Sequence, residues 1–204
     1  MNVKKGGVLM KLAAYSIFNT AIGPCGISWI EDDDPLSLPA VTFLQLPELT
    51  KKMTESKLVE KSGARKSNFP APAITEIIKK VCRHLDGELQ DFRNVPVELP
   101  GVSQFALKVY KAVRKVPAGK TITYGDLAKI LKCPAAARAV GQALGKNPVI
   151  LIIPCHRVLA ARGKLGGFSA HGGLETKSKL LSIEGASFKP HAPPRCGWRC
   201  TLDS

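Results

Sequence analysis

Residues 122–158 read ITYGDLAKILKCPAAARAVGQALGKNPVILIIPCHRV, and the fold depends on how this stretch divides. Thr123 begins an apolar-periodic run that reads as a helix through Leu131. Lys132-Cys133-Pro134 makes a turn, because proline cannot continue a helix. Ala135 to Leu144 reads as a second helix nearly stripped of bulk, with Ala135, Ala136, Ala137, Ala139, Gly141 and Ala143 around a projecting Arg138. Two short helices joined by a tight turn form the helix-turn-helix pattern. A helix of small residues lets its backbone approach another surface closely, which suits contact with DNA; tight packing in a core would use the same residues. Val149 to Ile153 is an unbroken apolar run and reads as a buried strand that delivers Pro154-Cys155-His156-Arg157-Val158.

The charge distribution favours a polyanion as partner. The 204-residue chain carries a formal +14, and 15 Lys and Arg between Phe105 and Lys189 face only Asp126, Glu175 and Glu184, leaving +2 for the rest. A field confined to one half attracts phosphates, each of which releases a counterion when neutralised, whereas a merely solubilising surface mixes both signs. No apolar stretch approaches the ~20 residues that span a bilayer, so no membrane partner is expected. Lys4 and Lys5 ahead of Val8 to Met10 resemble the start of a secretory signal, but Lys11 interrupts it and no small-residue cleavage site follows. An intracellular protein is expected, cytoplasmic and nucleoid-associated in a prokaryote or nuclear in a eukaryote. The cysteines at 25, 82, 133, 155, 196 and 200 are too irregularly spaced for a disulfide scaffold, and Cys196 and Cys200 lack a second ligand pair for zinc. No metal site is expected.

Outward from this segment, Ser103 caps a helix to about Arg114 with Phe105, Val109, Val113 and Val116 inward, and Pro117-Ala118-Gly119 ends it. The first half reads as mixed structure. Residues 12–22 and 25–30 have strand composition broken by Gly23-Pro24, Glu31 to Pro35 is an exposed turn, and Val41 to Leu46 is a further strand. Residues 48–62 carry Leu49, Met53 and Leu58 on one weak helical face, and 62–72 reads as a loop. Ile74, Ile77, Ile78, Val81 and Leu85 form a helical stripe stopped at Gly87. Phe92 to Leu99 looks extended, limited by Pro96 and Pro100 to an edge or connector. No chemistry is legible in this half; Cys82 and His84, two apart, diverge on a helix and read as core or surface residues. The expected organisation is an N-terminal α/β domain over 1–100, a C-terminal domain over 101–189 and a disordered tail over 190–204.

A cysteine becomes a nucleophile as its thiolate, which needs a base or a positive environment, and His156 and Arg157 put both beside Cys155 in sequence. Neighbours on a strand point apart, however, so adjacency alone does not make a dyad. The ordered set of motifs goes further. Ile122-Thr-Tyr-Gly125, Ala137-Arg-Ala-Val-Gly141, Asn147-Pro148, Pro154 to Val158 and Leu180-Leu-Ser-Ile-Glu-Gly185 resemble the O6-alkylguanine-DNA alkyltransferase family, over about Phe105 to Phe188. The first half resembles it only loosely, at Ile22-Gly23, Leu85 to Glu88 and Asp91-Phe92.

The resemblance implies an α+β protein, with a small antiparallel, ribonuclease H-like sheet in the N-terminal domain and a mostly helical helix-turn-helix domain carrying the active cysteine. It implies single-turnover transfer of an alkyl group from O6-alkylguanine, and also O4-alkylthymine, in double-stranded DNA to Cys155, by a monomer without cofactor. In that reading His156 takes the thiol proton through a water and Glu184 orients His156. Asn147 braces the segment bearing Cys155, and Tyr124 donates to the guanine leaving group and helps rotate its phosphate. Arg138 enters the base stack in place of the flipped nucleotide, while Thr123, Tyr124, Ala137 and Ala139 contact DNA in the minor groove. Val158 and Ser169, largely through backbone groups, line the guanine pocket with Phe168. Phe168 stands where many relatives have Tyr, and Ala170-His171 is inserted between Ser169 and Gly172-Gly173, leaving the accepted alkyl size open; His171 reads as an exposed loop residue. Two other readings compete: a non-catalytic alkyltransferase-like lesion binder, whose cysteine is replaced by tryptophan, and a helix-turn-helix regulator using Cys155 as a thiol sensor.

Overall fold

A computed structural model describes residues 12–31 and 37–188. Residues 32–35 of the acidic turn, the N-terminal lysines and the tail with Cys196 and Cys200 lie outside the described residues. The chain opens with a hairpin, β1 (Leu12–Thr20) and β2 (Gly23–Glu31), to which β3 (Ala40–Gln45) adds antiparallel to β2. A two-residue strand, β4 (Arg65–Lys66), joins β1 in parallel, inside the segment that the sequence presented as loop. The sheet is therefore small and mixed, ordered β3-β2-β1-β4. Helix α1 (Lys51–Ser62) packs on it where Gly26 has no side chain: a Cβ there would lie 2.6 Å from Leu58 Cδ2 and 2.8 Å from Ile17 Cδ1. The face expected for α1 is corrected: Thr54 and Leu58 are buried, while Leu49 is 73% and Met53 44% exposed. Three apolar residues in so polar a segment set too weak a moment to fix its rotation. Helix α2 (Pro72–Leu85) buries Ile74, Ile77, Val81 and Leu85 as its stripe requires, and starts with proline, whose missing N–H costs nothing at that position.

The second half holds α3 (Gln104–Val113), capped by Ser103, and α4 (Tyr124–Ile130), capped by Thr123, whose hydroxyl accepts from the Asp126 N–H at 3.0 Å. A 3₁₀ turn at Pro134–Ala136 leads into α5 (Ala137–Gly145), and α4 and α5 pack together as the helix-turn-helix pair. After them come β6 (Val158–Leu159), paired with β5 (Ile122–Thr123), and α6 (Leu174–Ile183).

The strand expected at Val149 to Ile153 is a buried turn instead. Ile153 N–H returns to Val149 O at 2.9 Å, and Leu151 takes φ 79°, a left-handed conformation costing a residue with a Cβ about 1–3 kcal/mol. All five residues are buried, so the apolar run was read correctly as interior; such a run alone does not separate a strand from a compact turn. One buried cluster joins this turn to Cys25, Ile27, Trp29 and Leu44 of the sheet and to Val109 and Leu127 of the helices, and Leu44 N–H bonds Pro148 O at 3.0 Å. The sheet thus backs the segment that carries Cys155. Among the described residues, no helix is long and apolar enough to cross a membrane.

Candidate active site

Cys155 begins a 3₁₀ turn, Cys155–Arg157, so the three side chains of Cys-His-Arg fan out from a tight bend and do not alternate as on a strand. Asn147 holds the bend from below. Its Nδ2 donates to Ile153 O at 2.8 Å and to Cys155 Sγ at 3.3 Å, while its Oδ1 accepts from Val149 N–H at 3.0 Å. A single buried amide thereby satisfies the turn's backbone and fixes the sulfur. Cys155, 5% exposed, faces a cavity of about 800 Å³. Burial raises its thiol pKa, outweighing the opposite pulls of the Asn147 hydrogen bond and the Lys177 charge.

Behind Cys155 lies a buried charge junction. Glu184, at the end of α6, accepts at Oε1 from His156 Nε2 (3.0 Å), His84 Nε2 (2.9 Å) and Arg157 Nη2 (2.7 Å). Its Oε2 accepts from Arg157 Nε at 3.0 Å and from the Gly119 N–H at 3.4 Å. Burial alone would raise this carboxyl's pKa, but the hydrogen bonds from His156, His84 and Arg157 hold it well below the usual carboxylate range. An ionised Glu184 can only accept, so His156 carries its hydrogen on Nε2 and turns a lone pair out at Nδ1. That Nδ1 is buried and has no hydrogen-bond partner in the protein. Burial lowers the His156 pKa, which Glu184 only partly offsets. A protonated thiol and a neutral imidazole are therefore the resting pair. Arg157 serves Glu184 and the Val116 carbonyl (2.5 Å), not the thiol that its sequence position suggested.

The cavity is walled by the helix-turn-helix on one side and by the loop before α6 on the other. Thr123, Tyr124, Ala137, Arg138, Phe168 and Ser169 all line it with Cys155, as do Gly141, Ala160 and Ala161. The small residues of α5 act here: a Cβ on Gly141 would sit 3.7 Å from the Tyr124 ring, and one on Gly166 (φ 67°) would sit 3.1 Å from it. The side chains of Val158 and Ala139 are not among those that line the cavity. Val158 is fully buried beneath the wall, offering its carbonyl to Lys177, because its pairing with Ile122 turns it inward. Ala139, expected at the DNA surface and not in the cavity, lies beside Ser103, Gln142 and Ala143. The inserted Ala170 is buried, and His171 is exposed with its ring 3.5 Å from Glu48 and its carbonyl bonded by Thr176 Oγ1 at 2.6 Å. The insertion thus anchors the pocket loop to the first half.

Two residues were missed in the sequence. Lys177, on α6, is fully buried and donates to the carbonyls of Val158 (2.7 Å), Leu165 (2.5 Å) and Gly167 (3.3 Å), pinning the pocket loop; burial lowers its pKa to about 8. A lysine on the buried stripe of an amphipathic helix was the available signal. The other is His84, from the half where no chemistry was legible; its pairing with Glu184 spans 100 residues and leaves no local trace. Among the described residues no group of three or more His, Cys, Asp or Glu could hold a metal ion, and where His84, His156 and Glu184 meet, the Arg157 guanidinium already fills the place of a cation.

Comparison with known proteins agrees with this geometry. Residues 104–186 match the 6-O-methylguanine DNA methyltransferase, DNA binding domain, family. The chain is 32% identical to a methylated-DNA–protein-cysteine methyltransferase of Mycolicibacterium paratuberculosis over 176 residues, 86% of this chain and 94% of the relative. It is 36% identical to the protein of that name from Methanosarcina acetivorans, covering 84% and 98% of the two chains. The crystal structure of Mycobacterium tuberculosis O6-methylguanine methyltransferase superposes with a TM-score of 0.65 at 32% identity, over 85% of this chain and 93% of that one. A structure of the M. tuberculosis protein in complex with DNA superposes at 0.61 and 31% identity, over 84% and 92%. Likeness of this order, in sequence and fold over nearly the full length of each relative, establishes that the chain belongs to the methylated-DNA–protein-cysteine methyltransferase family of DNA-repair enzymes.

Proposed function

We propose that the protein repairs O6-alkylguanine, and O4-alkylthymine, in double-stranded DNA by moving the alkyl group to Cys155 once per molecule, as a monomer. The observation that carries this reading is the seating of Cys155 Sγ at the floor of a cavity walled by the helix-turn-helix, with an unpartnered His156 Nδ1 and an ionised Glu184 behind it. In the reaction the thiol proton passes through a water to His156 Nδ1, and the sulfur attacks the alkyl carbon in line. The carbon–O6 bond breaks, its electron pair stays on O6, and the guanine takes up a proton in place of the alkyl group. Glu184 receives the positive imidazole without moving, which favours the charge developing in the transition state. Tyr124, half-buried in the wall with its hydroxyl held protonated by burial and by Cys155, donates to the leaving guanine.

The O6 substituent lies within the duplex, so the nucleotide must leave the stack to reach the cavity, at a cost of a few kcal/mol. Arg138, exposed at the cavity rim, fills the gap, and the basic half offsets the cost through sequence-independent phosphate contacts. Residues 1–100 act as a domain that backs the catalytic one. A thioether does not hydrolyse, so the protein is consumed. The test is peptide mass spectrometry after mixing with duplex DNA containing O6-methylguanine. One methyl on the Cys155 peptide with restored guanine is expected, and Cys155→Ala should bind DNA without transfer. Methyl transfer by Cys155→Ala would refute the assignment, and tight lesion binding without any mass change would favour the lesion-binding alternative.

A further inference from the structure

Glu184 Oε1 is shared by two imidazoles, and only one of them adjoins the nucleophile. His84 arrives from the last turn of α2, on the far side of the junction, and is as deeply buried as His156. Its ring is fixed on both edges. Gln90 N–H, which can only donate, bonds His84 Nδ1 at 3.0 Å, so the ring's hydrogen is on Nε2 and points to Glu184. Phe92 closes against the ring edge-on, with centroids 5.2 Å apart. The turn after α2 thus orients a donor onto the same oxygen that orients the base.

Resting on the transfer reaction proposed above, we infer that His84 is a positioning residue: its Nε2–H shares Glu184 Oε1 with His156 and thereby limits how strongly that carboxylate holds the imidazole serving Cys155. An oxygen with two lone pairs and donors from His84, His156 and Arg157 gives less to each than it would to two. The charged and titratable groups facing His156 are Glu184, Arg157 and His84. Of these, His84 alone comes from the first half. Its hydrogen bond keeps the imidazole a weaker base, which stays unprotonated and ready to accept the thiol proton further into the acid range.

The test uses two substitutions that each keep half of the ring's function. In His84→Gln the amide nitrogen occupies the place of Nε2 and retains the donor to Glu184; in His84→Asn the side chain reaches only as far as Nδ1, keeping the acceptor for Gln90 N–H. Single-turnover methyl transfer from O6-methylguanine duplex is followed across the acid range for the full-length protein. The acid limb of the rate profile should rise by about half to one pH unit in His84→Asn and stay near the wild-type position in His84→Gln, a shift typical of losing one hydrogen bond to an ionised partner. A purely structural role would lower the folded fraction without moving the limb. Coincident limbs in the two variants and the wild type overturn the inference. Should His84→Asn not fold, a limb in His84→Gln displaced by as much as one unit also overturns it. Absence of transfer in the wild type would refute the reaction itself and is read separately from the position of the limb.

Discussion

Replacing Glu184 with glutamine changes one oxygen to an amide and removes the only anion among His84, His156 and Arg157 in their buried junction. The carboxylate is 3% exposed and takes five hydrogen bonds within 3.2 Å, three of them from Arg157. Glutamine would present one acceptor and one donor to neighbours that all donate. Breaking a buried ion pair by removing one partner costs about 3–5 kcal/mol, because the other charge stays buried and unpaired. Losing about two charge-assisted hydrogen bonds at about 1.5–3 kcal/mol each falls in the same range. For a chain of this size about 2–4 °C are lost per kcal/mol, so Tm should fall by about 6–20 °C. Transfer should also slow by about 10²–10⁴-fold, the usual contribution of a positioned base, since His156 loses the partner that fixes its tautomer. Thermal and urea denaturation measure the first effect. Single-turnover transfer below both melting temperatures, normalised to folded protein, measures the second. A stability loss under about 1 kcal/mol would refute the role of Glu184 as the anchor of the junction. A full loss of stability with an unchanged transfer rate would remove Glu184 from the proton path and leave it a structural residue.

Asn147→Ala removes both hydrogen bonds of the amide to the turn and the one to Sγ, and should destabilise the protein by about 2–4 kcal/mol in urea titrations while loosening Cys155; a loss below about 0.5 kcal/mol would contradict its bracing role. Arg138→Ala should slow repair in duplex DNA much more than reaction with a free O6-alkylguanine base, since only the former needs the stack refilled; equal losses would refute the finger. Stability should decline with acid in two stages. The folded pKa of His156 lies below its usual 6.5, so the unfolded chain takes up a proton that the folded chain refuses, and stability is complete above about pH 6.5 and falls below it. Glu184 is depressed from its usual 4.5, so its contribution is present above about pH 4.5 and is lost as the pH falls further; a urea midpoint constant from pH 7 to 5 would contradict the His156 shift, and one constant from pH 5 to about 2.5 the Glu184 shift.

The elements that hold the cavity were legible because their signals are local. Ser103, Thr123 and Pro134 mark helix ends, the apolar spacing on α3 and α4 selects a buried face, and the small residues of α5 announce close approach. Cys155, His156, Asn147 and Glu184 were legible through the order of their motifs, and all four meet in the structure. The rotation of α1 was misread because its segment is too polar to choose a face, and β4 is too short to have a pattern.

By itself, then, the sequence determined the helix-turn-helix, the concentration of positive charge over residues 105–189 and the identity of the sulfur that sits in the cavity. Each depends on residues near one another along the chain. Tertiary structure alone decided that Val149 to Ile153 bends back as a turn, that Arg157 serves Glu184 and not the thiol, that Lys177 ties down the pocket loop, and that His84 joins the active junction. These are buried polar contacts between distant segments. Their partners are chosen when packing removes water and leaves each donor and acceptor only those groups the fold has brought within reach.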